Sequence, residues 1–433
     1  MTNQIATLDM GKKFKKTPAG EIPVEWEVAT ISSLCDINPS KTEIGRLENT
    51  TQVSFIRMEN IIEDAGGISE IREGRLGDFI NKGYTYFREG DLLFAKITPC
   101  MENGKVALAK NLKDGIGFGS TEFHVLRIDE KKILSQYLFY WVSQKSFREL
   151  AARHFRGSAG QQRVQRDFFD DAFVPIPPLP EQKKIAEILT AVDESIEKTR
   201  AVIEKTNELK KALMQTLLTR GIGHKKFKKT PAGEIPVEWE CRLVADVADI
   251  VGGGTPDRTN PEYWNGSIPW VTPTDVTNIS GTTISKTKEM ISESGLKKSA
   301  AVLMPAGSIL MTSRATLGYA VINTIPMATN QGFANFCCKS EILNTFLLYL
   351  LHYKGRDLER LGAGSTFLEI PKSALKKMAL QIPPLPEQKK IAEILTAVDE
   401  EIEKEENACK IMKRLKKGLM QALLTGKVRC NNG

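Results

Sequence analysis

Apolar residues recur at heptad spacing over two long stretches of the chain. Stepping by sevens from Ile185 reaches Val192, Thr199, Thr206 and Leu213; stepping from Leu189 reaches Ile196, Ile203, Lys210 and Leu217. The second stretch gives Ile391, Val398, Glu405, Met412 and Leu419 beside Leu395, Ile402, Cys409, Lys416 and Leu423. This pattern predicts two long helices, each with a seam that is apolar at both ends, partly polar in its middle, and in need of a partner helix. Pro180 and Glu181, like Pro386 and Glu387, suit a first helical turn, where a proline ring and a carboxylate are favoured. Gly221 and Gly426 mark the ends. Each predicted helix would run about 55–60 Å at 1.5 Å per residue.

Ahead of each helix the pattern shortens. FIRMENI from Phe55 sits beside PWVTPTDV from Pro269, and FREGDLLFAKITPCMENGKVAL from Phe87 beside MPAGSILMTSRATLGYAVI from Met304; each reads as strand, turn, strand. LSQYLFYWVSQKSFRELAARHF from Leu134 and LNTFLLYLLHYKGRDLERL from Leu343 have helical spacing, and the glycine-rich turns GSAGQQR (Gly157) and GAGSTFLE (Gly362) follow them. The chain is a duplication: Lys12–Glu27 recurs letter for letter as Lys225–Glu240, and Ile176–Glu194 as Ile382–Glu400. The inserts Val28–Pro175 and Cys241–Gln381 keep a common layout but few common letters.

The expected fold is therefore α/β (α+β), with two similar globular domains joined by two long helices. A compact domain brings its entry and exit together, which makes the helices antiparallel, related by a pseudo-twofold axis, with a domain at either end of a rod. The expected layout is 1–179 for the N-terminal basic segment and first domain, 180–221 for the first helix, 222–385 for the repeated basic segment and second domain, 386–426 for the second helix, and 427–433 for a tail.

Composition narrows the function. The chain has 433 residues, 41% of them hydrophobic, and a formal charge of +7, which permits an anionic partner without proving one. No apolar run is long enough for a membrane span and the N-terminus has no signal-peptide pattern, so a cytoplasmic protein is expected. Seven cysteines without CxxC spacing and four scattered histidines argue against a disulfide scaffold or a metal centre. There is no phosphate-binding GxxxxGK[ST] motif, no Asn-Pro-Pro or Asp-Pro-Pro word of an amino-methyltransferase, and no cofactor-loop context around Gly252-Gly253-Gly254-Thr255-Pro256, which reads as a flexible turn. Glu181-Gln182-Lys183, with Asp170 and Asp171 upstream, has the look of half a nuclease site. It recurs as Glu387-Gln388-Lys389 without the aspartates, which favours a helix start. Cys337-Cys338 reads as strand core, and Trp26, Trp141, Trp239, Trp264 and Trp270 as packing residues. No catalytic set and no metal site is expected.

IPPLPEQKKIAEIL, found twice, and GGGTPDRTNPEYWNGSIPWVTPTDV from Gly252 closely resemble the specificity subunits of type I restriction-modification systems. The resemblance spans nearly the whole chain. It implies a non-catalytic subunit whose two target-recognition domains read the two parts of an asymmetric double-stranded DNA site. It also implies two partner modification subunits that methylate adenine and restriction subunits that translocate and cleave. S-adenosylmethionine, ATP and Mg2+ would belong to those partners, and none to this chain. Helices of the expected length would separate the half-sites by about 16 base pairs, or nearer 10 if the domains lean inward. Two other classes stay open from sequence: a coiled-coil scaffold without DNA readout, and an autonomous DNA-modifying enzyme.

Direct readout needs forked donors and acceptors on loops that enter a groove. In the first domain the candidates are Arg57, Lys96, Thr98, Lys105, Arg156, Gln161, Gln162 and Arg163; in the second, Thr255, Arg258, Thr274, Asp275, Ser313, Arg314, Asn330, Gln331 and Thr366. Gln161-Gln162-Arg163 and Ser313-Arg314 stand out, beside glycine- or threonine-rich turns. Lys12, Lys13, Lys15 and Lys16, with Lys225, Lys226, Lys228 and Lys229, form two basic patches suited to phosphates or to a solvated linker. The helix seam is the candidate partner surface: Ile185, Leu189, Val192, Ile196, Ile203, Leu213, Leu217, Ile391, Leu395, Val398, Ile402, Met412, Leu419 and Leu423. Exposed members such as Ile196, Ile203 and Ile402 would make the free subunit self-associate.

Overall fold

The computed structural model describes residues 13–64, 67–158, 160–279, 281–362 and 369–430. It forms two compact units, one running to Lys198 and resuming at Cys409, the other comprising Thr199–Ala408. No helix among the described residues is long and apolar enough to cross a membrane.

The first unit begins with a hairpin, Phe14–Thr17 against Gly20–Pro23, closed where the Thr17 hydroxyl donates to the Gly20 carbonyl at 2.8 Å and Gly20 takes φ +106°. The same letters fold the same way in the second unit, Phe227–Thr230 against Gly233–Pro236. The basic patches thus sit on exposed hairpins and not on a linker, with Lys12 outside the described residues.

Each insert builds a mainly antiparallel sheet from the strand–turn–strand words. In the first unit the order is Cys35–Ile37, Phe123–Ile128, Leu92–Ala95, Val106–Leu108, and a second four-stranded sheet carries Gln52–Ile56 and Ile116–Gly119. The second unit sets Ala248–Gly252, Phe333–Cys338, Ile309–Thr312 and Ala320–Asn323 side by side, with Trp264–Val271 central to a three-stranded sheet. The apolar helices Ser135–Val142 and Asn344–Tyr353 are buried through Tyr137–Val142 and Phe346–Leu351 and form much of each core.

The long helices run Leu179–Arg220 and Leu385–Leu424. Within the first unit, Ile185 and Leu189 share a core with Leu423 and Leu424, while Asp193 meets Lys416 at 2.6 Å. Within the second, Leu217 and Leu218 share a core with Ile391 and Leu395, while Lys210 meets Asp399 at 2.5 Å. In each unit early positions on one helix meet late positions on the other, so the segments are antiparallel. The lysines that interrupt the heptad seam are not gaps in it. Lys416 lies over Tyr140, whose hydroxyl donates to Asp193 at 2.9 Å, and Lys210 lies over Tyr349, whose hydroxyl donates to Asp399 at 2.8 Å. Each of these two lysines is thereby bound to the globular head of its own unit.

The repeated Glu-Gln at each helix start anchors that head. Glu181 accepts from the Trp26 indole at 3.1 Å and from Arg429 at 2.7 and 2.9 Å. Gln182 donates to the Pro177 carbonyl and accepts from the Leu134 amide, both at 2.8 Å. Glu387 likewise takes the Trp239 indole and His224, each at 3.0 Å, and Gln388 repeats the bonds of Gln182 at Pro383 and Leu343. Both carboxylates are occupied by structural donors, as a helix-start role requires and a nuclease role does not allow.

Three expectations change. Ile196 is buried, as are Ile185, Leu189, Leu217, Ile391, Leu395 and Leu423, while Val192, Ile203, Leu213, Val398, Ile402, Met412 and Leu419 are half-buried. Most of the seam is thus consumed by the fold, because a wide apolar stripe packs against heads as well as against a helix. The apolar side chains left exposed on the helices are others, led by Ile411 (64%), Leu415 (53%) and Leu209 (52%). The glycine run is not a flexible turn either: a Cβ on Gly253 would lie 2.0 Å from the Asn330 carbonyl oxygen, and one on Gly254 2.2 Å from Ala300. Glycine is there for close backbone packing.

Candidate nucleic-acid interface

In the first unit, the turn after the central strand Leu92–Ala95 is stitched to two other segments. The Lys96 amide donates to the Glu122 carbonyl at 2.9 Å, and the Val164 amide donates to the Lys96 carbonyl at 2.9 Å. Ile97 and Arg163 form an antiparallel bridge, and the Thr98 amide donates to the Gln162 carbonyl at 3.0 Å. One junction therefore holds the strand turn, the Ser120–Glu122 turn and the end of the glycine-rich segment.

The second unit repeats the stitching with different letters. The Ser313 amide donates to the Gly332 carbonyl at 2.7 Å, the Ile370 amide donates to the Ser313 carbonyl at 2.9 Å, and Arg314 bridges Glu369. By these bonds Lys96 corresponds to Ser313, Ile97 to Arg314, Glu122 to Gly332 and Arg163 to Glu369. The backbone arrangement is shared and the side chains are not.

Each junction carries one arginine–carboxylate pair, built from non-corresponding positions. Arg163 gives its Nε and Nη2 donors to Glu122, at 3.0 and 2.7 Å, and Nη1 to the Gln161 carbonyl at 2.8 Å. The Glu122 carboxylate raises the Arg163 pKa, keeping the guanidinium charged. Arg314 places Nε 3.0 Å from Glu369. Beneath the first junction His124 is buried. A neutral ring with its proton on Nε2 donates to the Val164 carbonyl at 2.9 Å and accepts from Asn38 at 3.2 Å. Burial pushes the His124 pKa down to about 4, the Val164 bond opposing it. Lys96 is also lowered, by burial first, with Glu122 opposing and Arg163 adding.

Of the sequence candidates, Lys96, Thr98, Gln161, Gln162 and Arg163 meet at the first junction. Ser313, Arg314, Asn330 and Gln331 meet at the second, where Thr255 donates to Gln331 and Asn330 accepts from the Gly332 amide at 2.8 Å. Ser313 is buried, so it serves as backbone there rather than as an offered hydroxyl. Others lie apart. Arg57 pairs with Glu59 at 3.2 Å near Lys105, which donates to the Met58 carbonyl, and Arg156 pairs with Asp167 at 2.9 Å. Thr98, at the first junction, donates its hydroxyl to Glu102. Arg258 stacks 4.0 Å over Trp264 and pairs with Glu289 at 2.8 Å. Asp275 caps its own helix through the Thr272 amide at 2.8 Å, and Thr274 lies in that first turn. Thr366 falls outside the described residues. A search for donors passed over Glu122 and Glu369, whose only signal in sequence is an acid beside a turn. Among the described residues no cluster of metal-ligating side chains occurs.

The type I restriction modification DNA specificity domain matches residues 23–207 and again 236–409. The chain belongs to this family. It is a type I specificity subunit, and the domain it carries twice is one of DNA specificity and not of catalysis. It is 28% identical to the putative MjaX specificity subunit of Methanocaldococcus jannaschii, over 96% of this chain and 97% of that one. It is 37% identical to the MjaIX specificity subunit of the same organism, over 44% of each. The fold is similar to that of the S subunit of a type I system from M. genitalium, with a TM-score of 0.57 at 16% identity, covering 92% of this chain and 96% of that one.

Proposed function

We propose that each unit of this specificity subunit reads one half of a bipartite, asymmetric site on double-stranded DNA through its three-segment junction. The observation that carries this reading is the pair of junctions with matching backbone hydrogen bonds and exchanged side chains. A constant scaffold presents different hydrogen-bonding groups, which is what two unlike half-sites demand. The exposed lysines of the two identical hairpins add a sequence-independent hold on phosphates.

The long helices set the spacing between the half-sites and dock two modification subunits that methylate adenine. The apolar residues exposed on the helices support this role better than the seam does: Ile411, Leu415, Leu209 and Val202 are free for a partner. An open apolar depression at the start of the second long helix, lined by Leu343, Leu385, Ala392 and Ala397, offers a further foothold. Restriction subunits join the same assembly, which operates in the cytoplasm. S-adenosylmethionine, ATP and Mg2+ act in those partners.

The test is an adenine-methylation map of cells carrying this chain with its modification subunit, before and after exchange of residues 28–175 and 241–381. A two-part motif whose halves swap with the inserts is the expected result. A motif indifferent to the exchange, or none at all, returns the chain to the scaffold reading.

A further inference from the structure

The two arginine–carboxylate pairs stand on one shared junction yet are built from different positions. Arg163 comes from the glycine-rich segment and Glu122 from the neighbouring turn; Arg314 comes from the strand turn and Glu369 from the glycine-rich segment. Neither insert could have passed this pair to the other by simple duplication, since Arg163 and Glu122 correspond to Glu369 and Gly332, while Arg314 and Glu369 correspond to Ile97 and Arg163. What the two junctions have in common is the chemistry: a guanidinium, partly exposed, fixed by a carboxylate.

A guanidinium has five N–H donors in a plane. Arg163 commits three of them: Nε and one Nη2 hydrogen to Glu122, and one Nη1 hydrogen to the Gln161 carbonyl. The two that remain, one on each terminal nitrogen, match in number and kind what the O6 and N7 acceptors of guanine take in the major groove. Among the described residues Arg314 is paired at Nε, with Glu369, and its terminal nitrogens stand for the same use. Its side chain is 47% exposed, and that of Arg163 36%, so both can be reached.

The carboxylate also decides between base and backbone. A phosphate approaching Arg163 meets Glu122 within the same pair, which offsets the attraction of the guanidinium. A neutral acceptor edge suffers no such repulsion and gains from a guanidinium whose plane is already fixed. Among the hairpin lysines, Lys15 and Lys228 stand across from Ile22 and Ile235 and suit phosphates better than Lys16 and Lys229, which face Glu21 and Glu234.

We infer that Arg163 and Arg314 are the specificity-determining residues of the two units, each reading a guanine, with Glu122 and Glu369 as their positioning residues. The inference rests on the DNA-reading role proposed above. Each half of the recognised site then contains at least one G·C pair fixed by its own arginine.

The experiment uses the full chain assembled with its modification subunits. Methylation maps are taken for the unaltered chain, Arg163→Gln and Arg314→Gln. The expected result is a motif with an invariant G·C pair in each half. Arg163→Gln relaxes one such position in the half read by residues 28–175 and leaves the other half intact; Arg314→Gln does the reverse. Methylation at the original motif falls by roughly 10- to 100-fold, the range of a lost bidentate contact. Arg163→Lys keeps the charge and a partner for Glu122, and it relaxes the same position, which separates loss of readout from loss of folding. Salt titration of binding to a duplex bearing the motif supplies a second readout: the log–log slope is unchanged in Arg163→Gln. An unchanged motif in either Gln variant overturns the inference. So does a slope reduced by about 0.9 with all duplexes weakened equally, the mark of a phosphate contact. If the unaltered chain directs no two-part motif, the DNA-reading role fails and this inference falls with it. A two-part motif lacking G·C in one half refutes the arginine assignment alone.

Discussion

At the scale of single residues, buried groups beneath the junctions set measurable limits. His124 is neutral in the fold with its pKa at about 4, against 6.5 for an unconstrained histidine, chiefly through burial. As pH falls below 6.5 the unfolded chain takes up the proton first. Stability is therefore full above about pH 6.5 and declines as pH drops toward 4, by up to about 3 kcal/mol. Urea unfolding of His124→Gln between pH 4 and 7 checks this: the acid-side slope of the first unit should flatten. Gly253 gives a steric counterpart. Gly253→Ala puts a methyl group 2.0 Å from the Asn330 carbonyl oxygen, which is backbone and cannot swing aside. A loss of roughly 1–3 kcal/mol is expected in thermal unfolding, with weakened readout by the second unit because Asn330 and Gln331 shift.

At the scale of elements, the polar middle of the helix seam is a pair of locks. Lys210 and Asp399 are both largely covered, and the Tyr349 hydroxyl shares the carboxylate. Asp399→Asn leaves the lysine ammonium without its counter-charge in a partly buried site, and a loss of about 2 kcal/mol follows. Lys210→Met keeps the covering chain over the Tyr349 ring and leaves Asp399 with its tyrosine donor, so it costs less. Chemical denaturation of the two variants ranks them; equal losses would show that the aspartate bears no more of the lock than the lysine. Asp193 and Lys416 repeat the arrangement in the first unit and should give the same ranking.

At the scale of the whole molecule, duplication separates what is constant from what varies. The identical words code the hairpins, the Glu-Gln anchors and the aspartates of the locks, which are framework, while the lock tyrosines Tyr140 and Tyr349 come from the inserts. The diverged inserts code the junctions, to which the proposal above assigns the address. Exchange of the inserts should therefore exchange half-sites without loss of folding, because Trp26–Glu181 and Trp239–Glu387 lie in repeated sequence on both sides of each insert. The copies differ in the donor at the helix-start glutamate: Arg429 binds Glu181 where His224 binds Glu387.

The sequence alone determined the duplication, the two long helices, the α/β class of the inserts and the family, because these are written in period and in repeated letters. Heptads fix a helix without reference to anything else, and an exact repeat needs no structure to be seen. It also singled out Arg163 and Arg314, since donors beside glycine-rich turns are a local signal. Only the tertiary structure decided what those residues face. Glu122 lies 41 residues before Arg163 and Glu369 lies 55 after Arg314, and no local pattern pairs them. The same holds for Ile196, apolar at a seam position and expected to be exposed, which the fold buries. Burial, ion-pair partners and the tightness around Gly253 depend on which distant segments come together, and that is settled by packing the whole chain.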